Sequence, residues 1–178
     1  MTKQQLARKI YDVAYLTGDF KLRSGLQSHE YFDKYMYEAE PEILAEIAKH
    51  MSELVPEAVE LLAGLEMGGI PLATAISLRN CLPMAFVRKK AKEYGTCKLA
   101  EGTNVADKNV CIIEDNVTTG GQIIDSVQEL RKFGAKIDTV ICVVLRNETA
   151  IVNLAEAGLR LFPLFTMDYI KQQVKLPE

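Results

Sequence analysis

Two neighbouring acids, Glu114 and Asp115, are followed closely by two hydroxyls and two glycines in the segment VCIIEDNVTTGGQ, residues 110–122. The four apolar residues before the acids have the pattern of a buried strand. Asn116, Val117, Thr118, Thr119, Gly120 and Gly121 then turn toward a helix, with Gln122 in its first turn. Such a turn aims backbone N–H groups, two hydroxyls and a helix N-terminus at one point, which suits a phosphate dianion. The glycines let the backbone approach the ligand closely. Adjacent carboxylates repel each other unless solvated, hydrogen-bonded or near a cation, and the vicinal hydroxyls of a ribose are donors at a suitable spacing. Acids beside a phosphate loop therefore point to a sugar phosphate. The plain alternative, a solvated strand end before an ordinary helix start, fits the TTGG turn alone. It fits the whole segment less well, and the missing P-loop lysine argues against a nucleoside triphosphatase.

The elements that must hold this segment alternate along the chain. Leu6, Ile10 and Val13 stand at helical spacing near the N-terminus, and Pro41 to Leu54 reads as a helix with Ile43, Ile47 and Met51 on one face. A strand over Val59 to Ala63 leads through the glycine-rich turn GLEMGG (64–69) into a helix from about Ile70 to Leu78, where Pro71 is tolerated in the first turn. Strands follow at Met84 to Val87, Val110 to Ile113, Thr139 to Leu145 and near Leu159 to Phe165. Helices are expected over Gly121 to Phe133, near Ala150 to Ala157 and near Met167 to Lys175. Residues 88–104 carry five Lys or Arg against two Glu with no apolar period, and read as a long solvated loop. Loops of that length are uncommon unless functional. Wholly apolar strands alternating with helices predict an α/β fold, a parallel sheet flanked by helices, with ligands beyond the carboxyl ends of the strands.

The thirteen-residue segment resembles the phosphoribosyl pyrophosphate (PRPP) motif of the type I phosphoribosyltransferases. Within that family, GDFKLRSGLQSHEYFD (18–33), GLEMGGIPLAT (64–74), VRKKAKEYGTCKLAEG (87–102) and LRNE (145–148) resemble orotate phosphoribosyltransferases. The resemblance implies the type I phosphoribosyltransferase fold in one domain over residues 1–178. A small N-terminal hood would come from about 1–40 plus the C-terminal residues, and the core from about 41–165. It implies Mg²⁺-dependent transfer of a 5-phosphoribosyl group from PRPP to orotate, giving orotidine 5′-monophosphate and pyrophosphate for pyrimidine (UMP) synthesis.

Site roles follow from the same resemblance. Catalytic roles fall to Lys92, Arg88, Asp115 and Glu114. PRPP would be bound by Arg88, Lys89, Lys92, Tyr94 and the run Glu114, Asp115, Asn116, Val117, Thr118, Thr119, Gly120, Gly121 and Gln122. Orotate would be bound by Thr118, Arg146, Arg23, Tyr31 and Phe32. Arg146 directly follows an uncharged strand, and a guanidinium can hold a carboxylate bidentately. Mg²⁺ would be held mainly by PRPP and water. In the family the loop at Arg88–Lys92 reaches a neighbouring subunit, which implies a homodimer. Some residues depart from many relatives: Tyr94 stands in place of a histidine, Met67-Gly68 in place of a tyrosine–lysine pair, Arg23 in place of a lysine, and Asn116 and Leu145 also differ.

Bulk properties bound the rest. With 178 residues, 48% of them hydrophobic, the chain suits one globular domain. Its longest apolar runs fall far short of the ~20 residues of a membrane span. The N-terminus lacks the apolar core of a secretory signal, so a cytoplasmic address is expected. A net charge of -3 argues against general nucleic-acid binding. Cys81, Cys97, Cys111 and Cys142 lack the paired spacing of a metal or disulfide framework. Alternatives are a purine or uracil phosphoribosyltransferase, disfavoured because neutral bases need no carboxylate anchor, and a non-catalytic PRPP-sensing regulator.

Overall fold

The computed structural model describes residues 1–21, 25–90 and 99–174; Arg23, Lys92 and Tyr94 lie outside them. Helix α1 (Lys3–Ala14) opens on a reciprocal cap, in which the Thr2 side chain accepts from the Gln5 N–H and the Gln5 side chain accepts from the Thr2 N–H. Its stripe of Leu6, Ala7, Ile10 and Ala14 is buried. A hairpin of β1 (Tyr15–Lys21) and β2 (Gln27–Phe32) follows, then a short helix α2 (Lys34–Ala39) capped by Asp33. Helix α3 (Pro41–Ser52) starts on its proline.

The remaining chain winds β3 (Leu61–Leu65), α4 (Gly69–Asn80), β4 (Met84–Val87), β5 (Ala100–Gly102), β6 (Asn109–Val117), α5 (Gly121–Lys132), β7 (Lys136–Leu145), α6 (Thr149–Glu156), β8 (Arg160–Thr166) and α7 (Met167–Gln173). The six strands lie in the order β5-β4-β3-β6-β7-β8, all parallel except β5, which runs antiparallel to β4. Alternation along each strand feeds two cores, one on each face. Leu62, Cys111, Ile113 and Ile141 pack with α1, α3, α4 and α7. Leu61, Ala63, Ile112 and Val140 pack with α5 and α6. This is the α/β architecture expected from the apolar strands, with β6 at its centre.

Three sequence expectations are corrected. The central strand does not stop at Ile113: Asn116 pairs with Val144 and Val117 with Leu145, so both acids lie inside the strand. The long apolar β7 supplies pairing partners to the end, and the Tyr37 hydroxyl donates to Asn116 Oδ1 at 3.3 Å. The stretch 88–104 is not loop throughout, because β5 pairs along the edge of β4. The first inner strand begins at Leu61, two residues later than its apolar run suggests.

Candidate active site

The carboxyl ends of β3, β4 and β6 open onto one cavity of about 670 Å³. At one end lies the turn from β6 into α5. Gly120 adopts φ 81°, ψ −2°, a left-handed conformation natural to glycine, and α5 then starts with no side-chain cap. The first N–H groups of a helix have no acceptor within it, so the Gly121–Ile123 backbone offers donors to the cavity it lines. The turn is pinned from outside, where Asn153 Nδ2 donates to the Thr119 carbonyl at 2.9 Å.

The acids occupy the middle. Both are buried, Glu114 at 9% and Asp115 at 1% exposure, which excludes the solvated strand end. By strand alternation Asp115 follows Cys111 and Ile113 toward α2 and α4. There the Lys34 ammonium donates to Asp115 Oδ2, while Oδ1 accepts from the Asn116 N–H. Burial works to lower the Lys34 ammonium, but the hydrogen bond and charge of Asp115 outweigh it and leave the group above its ordinary value. Burial, and then the charge of Asp115, holds the Glu114 carboxyl well above the usual range. The ion pair of Asp115 with Lys34 offsets part of the repulsion between the adjacent carboxylates.

At the far end lies the turn after β3. Its Glu66–Met67 peptide is cis, and Glu66 Oε1 accepts from the Lys89 N–H at 2.7 Å, tying the β3 and β4 ends together. Gly68 is required by space. A Cβ there would fall 1.5 Å from Asp115 Oδ2 and 2.9 Å from Glu38 Oε1. Glu38, on α2, is 8% exposed, and its Oε1 has no hydrogen-bond partner among the described residues. Burial, then the charge of Asp115, pushes this carboxyl up to about 8.

A smaller cavity of about 160 Å³ is lined by Tyr31, Phe32, Arg146 and Lys171, among others. Arg146 is placed by register: its N–H donates to the Val117 carbonyl at 2.7 Å, which sets it beside Thr118 at the ends of β6 and β7. Lys171 of α7 pairs with Glu30 at 3.2 Å and lies 5.3 Å from the Tyr15 ring centre.

Every residue from Glu114 to Gln122 singled out in the sequence lines the larger cavity, as does Lys89. Tyr31, Phe32 and Arg146 meet in the smaller one. Thr118 lines the first and reaches the second only through its neighbour Arg146. Arg88 lines neither; it is half-buried at the end of β4, and its N–H donates to the Leu99 carbonyl at 2.9 Å. Lys34, Tyr35, Glu66 and Lys171 were not reached from the sequence. The one available signal was Asp33, an N-cap residue that places Lys34 at the start of a helix.

The description "phosphoribosyl transferase domain" belongs to the family model that matches residues 35–159. An orotate phosphoribosyltransferase of Nocardioides sp. is 50% identical over 161 residues, covering 90% of each chain. The chain belongs to the orotate phosphoribosyltransferase family. Another member, from Methanocella arvoryzae, is 39% identical over 143 residues, 80% of this chain and 82% of that one. The orotate phosphoribosyltransferase of Mycobacterium tuberculosis, solved in complex with Fe(III) dicitrate, matches with a TM-score of 0.83 and 28% identity over 94% of this chain and 98% of that one. The family match begins at Tyr35 and ends at Leu159, so it spans the strands that carry the acids, the phosphate turn and Arg146.

Proposed function

We propose that the chain transfers the 5-phosphoribosyl group of PRPP to a ring nitrogen of orotate, releasing pyrophosphate and orotidine 5′-monophosphate in pyrimidine synthesis. The observation that carries this is that one cavity gathers the open N-terminus of α5, the acids of β6 and the turn after β3, while Arg146 lines a second pocket. The open N-terminus of α5 suits the 5′-phosphate, the buried acids of β6 suit the ribose hydroxyls, and the Glu66–Met67 turn with Lys34 and Lys89 suits the pyrophosphate. Relatives named orotate phosphoribosyltransferase support the same reading.

Breaking the bond to pyrophosphate develops positive charge on the ribose and negative charge on the leaving group. Cations at the far end of the cavity stabilise that leaving group, and Lys92, outside the described residues, takes the catalytic role the family resemblance gives it. Arg146 anchors the orotate carboxylate, with Tyr31 and Phe32 against the ring. Mg²⁺ would be held mainly by the oxygens of PRPP and water, the hard ligands it prefers. Among the described residues no three acidic, His or Cys side chains form a cage for a metal, so substrate oxygens would complete its shell. Bound Mg²⁺ would supply positive charge at the leaving pyrophosphate.

The working unit in this reading is a cytoplasmic homodimer in which the Arg88–Lys92 loop serves the neighbouring subunit. In the same reading a hood from about 1–40 plus the C-terminal residues would stand over a core at about 41–165. Among the described residues no helix is long and apolar enough to cross a membrane. The test is pyrophosphate release from PRPP and Mg²⁺ with orotate, uracil, adenine and hypoxanthine offered separately. Release with orotate alone supports the proposal. Release only with a neutral base, or PRPP binding with no release from any base, overturns it in favour of another transferase or a PRPP-sensing regulator.

A further inference from the structure

The far end of the cavity must meet the most highly charged part of PRPP, yet the turn that forms its wall supplies no cation. Glu66 and Met67 carry none, and Gly68 has no side chain, its place taken by Asp115 Oδ2, which a Cβ would meet at 1.5 Å. The Lys34 ammonium comes to the same place from α2. It lines the cavity beside Tyr35, Glu66 and Met67, its side chain is 28% exposed, and its Nζ lies 5.1 Å from the Tyr35 ring centre. An ammonium has three donor hydrogens. One is given to Asp115, which leaves two for the cavity. Asp115 is itself held by the Asn116 N–H, so it fixes the ammonium as a splint fixes a limb.

We propose that Lys34 is a pyrophosphate-binding residue of this chain, set by Asp115 at the end of the cavity where Gly68 has no side chain. The proposal rests on the PRPP reading above. It also explains why Gly68 and Lys34 belong together: the bare turn lets the buried carboxylate occupy the space, and that carboxylate aims the cation. Lys89 is the other lysine of the described cavity wall, and it is exposed at the end of β4, whereas Lys34 is half-buried and tied to the central strand.

The test is direct binding, by calorimetry with Mg²⁺, of PRPP, inorganic pyrophosphate and ribose 5-phosphate to the wild-type chain, Lys34→Met and Lys34→Gln. Glutamine retains a donor for Asp115 without the charge, so it serves if methionine prevents folding. Loss of a charge-assisted hydrogen bond should weaken PRPP and pyrophosphate about 10- to 100-fold. Ribose 5-phosphate, which lacks the pyrophosphate, should change by less than about twofold on the same argument. Equal weakening of all three ligands would mean that Lys34 acts only through Asp115, and unchanged pyrophosphate binding would mean that it does not touch the leaving group; either overturns the proposal. A wild-type chain that binds no PRPP would instead overturn the underlying functional reading.

Discussion

Alanine at position 68 ought to be easy for the backbone and impossible for the site. With φ −68° and ψ −29°, Gly68 is in the right-handed helical region, where a Gly→Ala change ordinarily adds about 0.4–1 kcal/mol of stability. Space reverses the sign. The new Cβ would lie 1.5 Å from Asp115 Oδ2 and 2.5 Å from its Cγ, where ordinary contact begins at 3.4 Å. Asp115 is 1% exposed and bonded to Lys34, so its carboxylate can yield only by abandoning that partner. Breaking a buried ion pair costs roughly 3–5 kcal/mol, and the partial exposure of Lys34 with the alanine gain brings the expected net loss to about 2–4 kcal/mol. In a chain of this size that lowers the Tm by roughly 5–15 °C. Thermal unfolding followed by circular dichroism measures it, with PRPP titration as a second readout. The double variant Gly68→Ala/Lys34→Met should lose less than the sum of the single losses, since both remove the same pair. A Gly68→Ala chain at least as stable as the wild type would refute the reasoning.

Glu38→Gln should change how stability depends on pH. The folded pKa, pushed up to about 8 by burial and Asp115, lies above the unfolded value near 4.5. The folded state therefore holds a proton that the unfolded state has lost, and stability falls through that window by about 1.4 kcal/mol per pH unit at most. Urea denaturation between pH 5 and about 9 should show that slope in the wild type and lose it in Glu38→Gln; parallel profiles would remove Glu38 as its source. Lys92→Ala should lower kcat at least about 100-fold with PRPP affinity within a few-fold, if it stabilises the departing pyrophosphate and not the bound substrate; the reverse pattern in single-turnover and binding measurements would count against that role. Mixing Lys92→Ala chains with Arg146→Ala chains should restore activity if the loop completes a neighbour's site. No recovery despite demonstrated subunit exchange would count against sharing.

How much of this could be read from the residues depended on locality. The strands β4, β6, β7 and β8 and the helices α3, α5 and α6 announce themselves because each is continuous and strongly patterned. The β1–β2 hairpin does not, since most of its residues are exposed or half-buried and no apolar alternation marks it. Helix α2 has six residues and β5 three, too short to show a period. The phosphate end and the acids were visible because they occupy one unbroken segment. Lys34 was not, for it stands 81 positions from the Asp115 it binds, and only the folded sheet and helices bring them together. The burial of the two acids was equally hidden, because charge cost is settled by a partner that lies elsewhere in the chain.

The claim that holds the rest together is that a carboxylated base sits against Arg146 while PRPP fills the neighbouring cavity. It is tested most directly by the ratio of kcat/KM for orotate to that for uracil, a base without the carboxylate, in the wild-type chain and in Arg146→Ala. The wild type should favour orotate by at least about 100-fold, the scale of a lost bidentate charged contact, and Arg146→Ala should erase most of that preference through KM for orotate. Equal use of uracil by the wild type, or an orotate preference untouched in Arg146→Ala, would contradict it.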